Sequence, residues 1–386
     1  MFPKEAIDWL AAQPARPRVV LYGQRTEKTL ATHLSAVCDI LLDATGQGEP
    51  ALQRIAALPQ ERYDILFILT PREGIACACH RHLELAGIPA TKIRWLQTAA
   101  PRRQTARILV SCRIDVPSVT IPNPVYLPVR CGAHYDHDPH PVLAGDDTGD
   151  NVSRYQPYLS ELSVQYWGWK NVRAGYLGLC HYRRYLSFSD ENYETSYREM
   201  VMDPALDEGG MERYGLLDAA RMTKAICAAD GIVNTAADVR RIPTPRGLQP
   251  DLRRHWEAHS GVFFPEGAIA QLFDAIAALE PQYLAAARDY FAGHLHRGYN
   301  CFVLRRPLYD ELCRMQHHIL TALFPRFFHQ GALRRFPRTC AYLGEMLYGI
   351  YIHALQAAGK ARIAEHQLVL FGQTGLSAYH EGRSSL

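Results

Sequence analysis

The segment GYLGLCHYRRYLSF (175–188) starts as an apolar strand, Tyr176 to Cys180. It then presents His181, Tyr182, Arg183, Arg184 and Tyr185 together. In open α/β sheets, ligands gather beyond the carboxyl ends of strands. A guanidinium is always charged, and its planar fork matches phosphate oxygens. Two arginines with a histidine could therefore neutralise a diphosphate leaving group without a metal ion. The same residues would equally serve as an arginine-rich loop paired to nearby carboxylates.

Three further segments carry reactive groups. DDTGDNVS (146–153) offers Asp146, Asp147, Asp150, Asn151 and Ser153 around one glycine. Such a loop could hold sugar hydroxyls or a cation, or it could simply turn the chain and cap the next helix through Asn151 or Ser153. It lacks the spacing and closing Glu of a calcium loop. HLHRGYNCFVLRR (294–306) mixes His, Arg, Tyr299 and Asn300 ahead of an apolar run. FPRTCAYLGEMLYGIYI (336–352) places Glu345 inside an otherwise apolar helix. A carboxylate there is either paired with an arginine such as Arg338 or is a base whose pKa is raised by desolvation.

Two ligand-rich stretches, CACHRH (77–82) and HYDHDPH (134–140), are weak metal candidates. The first sits in an apparent helix, where ligands at these spacings fan around the axis. The second reads as a polar loop. The ten cysteines show no paired CxxC spacing, and most read as buried thiols of a reducing compartment.

These groups need strands and helices to position them. Residues 1–100 predict a small Rossmann-like α/β domain, with strands at 18–23, 39–44, 63–71 and 92–96 alternating with helices. Gly23 followed by Asp43 has the spacing of a dinucleotide fold, but GQRTEK supplies one of its three glycines. A structural or partner-docking role is the favoured reading. QTAAPRRQTA (97–106) reads as a linker. A second α/β region follows over 106–386, with strands at 107–114, 125–132, 176–180 and 229–234. Leu159, Leu162, Tyr166 and Trp169 make a helical stripe. Residues 190–222 read as an acidic, Met- and Tyr-rich insertion carrying helices, and the last third as mostly helical.

The chain has 386 residues, is 48% hydrophobic and 21% charged, and carries a net charge of +3. That is enough chain for two or three domains. The charge is too small to argue for nucleic acid. No apolar run reaches the roughly 20 residues of a membrane span, and the start lacks a signal-peptide core. The cytoplasm is the expected compartment. LFPRFFHQGALRRFPR (323–338) interleaves four phenylalanines with four arginines. It could dock peripherally on a membrane, or it could put its aromatics in the core.

DDTGDNVS…YLSELSVQYWGWKN, YLGLCHYRRYL and GYNCFVLRRPLYDELC…YLGEMLYGIYI occur in this order. Together they resemble a bacterial capsule and lipopolysaccharide glycosyltransferase family, long filed as a domain of unknown function, over residues 106–356. The resemblance implies a GT-A-like fold with a helical C-terminal part. At least one branch of that family transfers galactofuranose from UDP-galactofuranose without a metal ion. It implies an inverting transfer of a sugar to a glycan or lipid-linked glycan acceptor, with no cofactor and no metal. His181, Tyr182, Arg183 and Arg184 would stand where other GT-A enzymes carry a cation-binding Asp-x-Asp. Asp146, Asn151, Tyr299, Asn300 and Arg338 would complete the donor site. Glu345 would be the base, with Asp147 and Asp150 as the next candidates. A pyranosyltransferase of the same fold, and a non-catalytic nucleotide-binding or scaffold protein, are the rival expectations.

Overall fold

The structure, a computed structural model, describes residues 3–23, 28–45, 49–70, 79–80, 83–96, 105–116, 118–137 and 143–373. The chain divides into two compact units, one of residues 1–103 with 137–148, the other of 104–136 with 149–386.

In the front unit, helices α1 (Pro3–Ala11), α2 (Lys28–Val37) and α3 (Glu49–Ala56) accompany strands β1 (Arg18–Gly23), β2 (Asp39–Thr45), β3 (Ile65–Leu69) and β4 (Ile93–Leu96), which form a parallel sheet in the order β2-β1-β3-β4. Their side chains alternate between two cores. Val20, Tyr22, Leu66 and Ile68 face one side, and Val19, Leu21, Phe67 and Leu69 the other. This is why the strands read as unbroken apolar runs. Gly23 has a packing reason: at φ 111° its absent Cβ would lie 2.4 Å from the Leu69 carbonyl oxygen. The Asp43 carboxylate accepts from the Thr45 amide and hydroxyl. The loop after Gly23 lies outside the described residues.

In the second unit, β5 (Ala106–Cys112) pairs in parallel with β6 (Tyr126–Arg130) and with β7 (Tyr176–His181). Helices α4 (Gln156–Leu159) and α5 (Leu162–Asn171) precede β7. After His181 the chain turns tightly into β8 (Arg184–Leu186). Then come β9 (Met200–Ala205), β10 (Gly231–Asn234), α6 (Leu252–Glu257), β11 (Phe302–Arg305), α7 (Arg306–His329), α8 (Thr339–Ala357), β12 (Ile363–His366) and β13 (Leu368–Gln373). The sheet runs β9-β13-β8-β7-β11-β10-β12, with β5 on the other flank of β7. Strand β11 runs antiparallel to β7, so the start of β11 and the end of β7 share one sheet edge.

The insertion at 190–222 carries helices, Glu208–Arg213 and the start of Ala219–Cys227, and also supplies β9. The last third is mostly helical among the described residues, and its strand β13 inserts between β9 and β8. One expectation is corrected here. The apolar stripe from Leu159 to Trp169 is not one helix. Ser160, at φ 50° and ψ −131°, breaks it between α4 and α5.

Candidate active site

The edge shared by β7 and β11 gathers most of the residues singled out above. Tyr182 and Arg183 form the turn between β7 and β8, and Arg184 opens β8. Arg113 follows the parallel neighbour β5 directly. It binds Asp115 through two nitrogens, one at 2.7 Å. The Nε atoms of Arg183 and Arg184 and the Nδ1 of His181 are buried with no hydrogen-bond partner among the described residues. Buried donors without partners are costly in a folded chain, so these point to a group that completes them. Burial, then Arg184, Arg183, Arg338 and Arg113, lower the His181 pKa to about 3. The imidazole is therefore neutral near pH 7. The sequence reading counted it among the positive groups; the charge here comes from the arginines alone.

Tyr299 and Asn300 lead into β11, and both have positive φ, 72° and 45°. The Arg184 guanidinium lies over the Tyr299 ring, 5.2 Å from its centroid. The Asn300 amide donates to Glu161 Oε1 at 3.0 Å. Arg338, just before α8, donates to Ser160 Oγ at 3.1 Å and lies 5.6 Å from the Tyr342 ring centroid. The break between α4 and α5 thus delivers Ser160 to Arg338 and Glu161 to Asn300.

Glu345 does not pair with Arg338. Its Oε1 lies 3.4 Å from His296 Nε2, and its side chain is 16% exposed. The chain between them passes through Gly298. A Cβ there would sit 2.3 Å from His296 Nε2 and 2.6 Å from Glu345 Oε1. The rings of His259, Phe263 and Tyr342 stack nearly parallel beside this pair, at 4.8 and 4.9 Å. Trp256 meets His296 edge-on at 5.2 Å.

The described non-glycine residues with positive φ are Ser160, Glu199, Tyr299 and Asn300. Three belong to this edge. Glu199 adjoins Arg198, whose charge reaches His255, His259 and Tyr299. Backbone held in sparsely populated regions clusters at functional sites, and three of these four residues lie here.

The aspartate loop behaves differently. Asp150 accepts from the Tyr166 hydroxyl at 3.0 Å and exchanges backbone bonds with Asn171, the last residue of α5. Asn151 bonds the Gly149 carbonyl and the Ser153 amide, as a turn residue does. Asp146 is fully buried, and Asp146 and Asp147 belong to the segment 137–148 grouped with the front unit. Among the described residues no group of three or more His, Cys, Asp or Glu is placed to hold a metal ion. Cys77, His82 and His140 lie outside the described residues.

Sequence reasoning missed Arg113, Glu161, Arg198 and His296. Arg113 ends a predicted strand, and His296 sits in a segment already marked as polar, so both had a signal. Glu161 and Arg198 had none, because their roles depend on a helix break and on a distant loop.

A family model described as a domain of unknown function, DUF4422, matches residues 107–356. The chain belongs to this family. A solved structure, the bifunctional glycosyltransferase WbbM in its apo form, superposes with a TM-score of 0.61 at 24% identity. The match covers 69% of this chain and 45% of that one, so this chain spans less than half the length of WbbM. That likeness concerns the fold, which is GT-A-like α/β. No curated protein matches the sequence.

Proposed function

We propose that this protein is a metal-independent, inverting glycosyltransferase. It moves a sugar from a nucleotide-sugar donor, with UDP-galactofuranose as the leading candidate, to a surface-polysaccharide acceptor. The observation that carries the reading is the set of buried, unpartnered guanidinium Nε atoms of Arg183 and Arg184 at the carboxyl end of β7. Fixed donors aimed at a diphosphate stabilise the leaving charge as a bound cation would. Tyr182, Tyr299, Asn300 and Arg338 frame the same edge, and His181, neutral, can exchange hydrogen bonds with phosphate or ribose.

In this reading Glu345 takes the proton of an acceptor hydroxyl. The freed oxygen attacks the anomeric carbon from the face opposite the leaving group. The bond from that carbon to the phosphate oxygen breaks, and the nucleoside diphosphate leaves with both electrons toward the arginines. The ledge of His259, Phe263 and Tyr342 offers the acceptor sugar an aromatic face next to Glu345. Among the described residues no helix is long and apolar enough to cross a membrane. A cytoplasmic enzyme working on acceptors at the inner membrane face fits the reading.

The test is donor binding. Arg183→Ala and Arg184→Ala should each weaken UDP binding by about 1.5–3 kcal/mol, the share of a charged hydrogen bond. Unchanged UDP affinity in both variants would remove the arginines from the donor site.

A further inference from the structure

An apolar cavity of about 310 Å³ lies between α4–α5 and the stretch of α7 from Cys313 to Pro325. Leu159, Leu162, Leu320, Phe324 and Tyr155 line its walls. The polar floor is largely self-satisfied: Gln165 donates to Gln316 at 2.6 Å, and Gln316 donates to the Gly344 carbonyl at 2.8 Å. Gln165 Oε1 alone is a buried acceptor without a partner among the described residues. Burial and the nearby Lys170 lower the pKa of His317, so the lining carries no charge from it near pH 7.

The cavity backs onto the candidate site. Leu162 and Leu320 fill the space a Cβ on Gly344 would need, at 2.3 and 3.5 Å, and Gly344 precedes Glu345. Ser160 and Glu161, at the corner beside Leu162, bond Arg338 and Asn300 on the other side.

The rim is aromatic and cationic. Arg154 lies 5.7 Å from the Tyr155 ring centroid, and Lys170 lies 5.4 Å from that of Tyr166. Asp150 is the carboxylate there, already bound to the Tyr166 hydroxyl. The rings of Tyr155 and Tyr158 meet Phe324 edge-on at 5.5 and 5.2 Å, and Phe324 stacks on Phe328. Past them lies a second hollow of about 350 Å³, lined by Tyr158, Phe328, His329 and Arg334. Residues 323–338, expected to be either a membrane face or core, are divided. Leu323, Phe327 and Leu333 are core, Phe324 lines the cavity, and Phe328 stands 56% exposed beside exposed arginines.

We propose that this cavity binds the hydrocarbon chain of a lipid phosphate, with the phosphate held by Arg154 and Lys170 at its rim. A cavity twice the ~150 Å³ that admits benzene has room for about a dozen carbons, and its volume and apolar lining are those of ligand pockets. The cations supply what an aliphatic chain alone would not need. That this lipid anchors the sugar acceptor rests on the glycosyltransferase reading; the binding itself does not.

The probes are decyl phosphate, decanol and inorganic phosphate, titrated calorimetrically into the full chain. Decyl phosphate should bind with a Kd on the order of tens of micromolar. Decanol should bind more weakly and inorganic phosphate not measurably. Thr321→Trp, at an exposed position of the lining, should weaken decyl phosphate at least about tenfold by filling the mouth. UDP affinity of the same variant should stay within about twofold, which shows that it is folded. No binding of decyl phosphate, equal binding by the variant, or equal binding of inorganic phosphate would overturn the proposal. So would a dimer of the native protein that Thr321→Trp dissociates, because a second copy would then own the cavity. Absence of UDP binding alone would count against the donor reading and leave this one intact.

Discussion

Glu345→Gln separates catalysis from architecture. Glu345 stands on α8, an otherwise apolar helix, with its Oε1 3.4 Å from His296 Nε2 and its side chain 16% exposed. Glutamine keeps the volume and can still accept from His296, so the folded state loses only a long, partly solvated contact, worth about 1 kcal/mol or less. Removing a general base costs about 10²–10⁴ in rate, which is roughly 2.7–5.4 kcal/mol on the barrier. The two effects differ in size and in the quantity that reports them. The assay is acceptor-dependent UDP release per folded enzyme, with UDP affinity and the urea midpoint measured on the same samples. We expect turnover to fall at least a hundredfold, within the range for a lost base, with UDP affinity unchanged. Near-normal turnover with reduced stability would refute the assignment. It would move the base to Glu161, the carboxylate held 3.0 Å from the Asn300 amide.

Two other expectations follow from the same geometry. Gly298→Ala pushes a methyl group toward the movable ends of Glu345 and His296 rather than into backbone. It should lower kcat about tenfold or more while shifting the melting temperature by only a few degrees; an unfolded variant, or normal kcat, would contradict this. His181 and His255 are both held near a pKa of about 3, chiefly by burial, against about 6.5 in the unfolded chain. Between these values the unfolded state binds more protons. Stability is thus fully present above pH 6.5 and lost as pH falls, by up to about 1.4 kcal/mol per pH unit for each histidine. Urea midpoints at pH 7 and 5 check this, and equal stability at the two would overturn it.

How much of this was legible in the sequence depended on distance along the chain. The front sheet was readable because each strand is a short apolar run closed by turn residues, as in RVVLYG and YDILFILTP. The HYRR turn was readable because the change from apolar to cationic happens within one strand. Strand β13 was not, because LVLFGQ pairs with β9 and β8, far away in sequence, and nothing local announces those partners. The helix break at Ser160 was hidden by a hydrophobic stripe that runs through it unchanged. Glu345 was visible as a carboxylate in an apolar helix, but its neighbour was not. Arg338 lies seven residues before it in the sequence, whereas His296 arrives from the distant approach to β11, two residues before Gly298. The aspartate loop was legible only as alternatives, a ligand set or a turn, and the bonds of Asp150 and Asn151 within the loop and to the end of α5 are those of the turn.

The central claim is that guanidinium groups do the work of a cation on the donor diphosphate. The most direct measurement is turnover of the purified protein on a panel of nucleotide sugars with a glycan acceptor, in excess chelator and then with added Mn²⁺. The account predicts acceptor-dependent release of nucleoside diphosphate, UDP first among them, at a rate that chelator leaves nearly intact and Mn²⁺ hardly raises. Release that stops in chelator and returns with a divalent ion would contradict it.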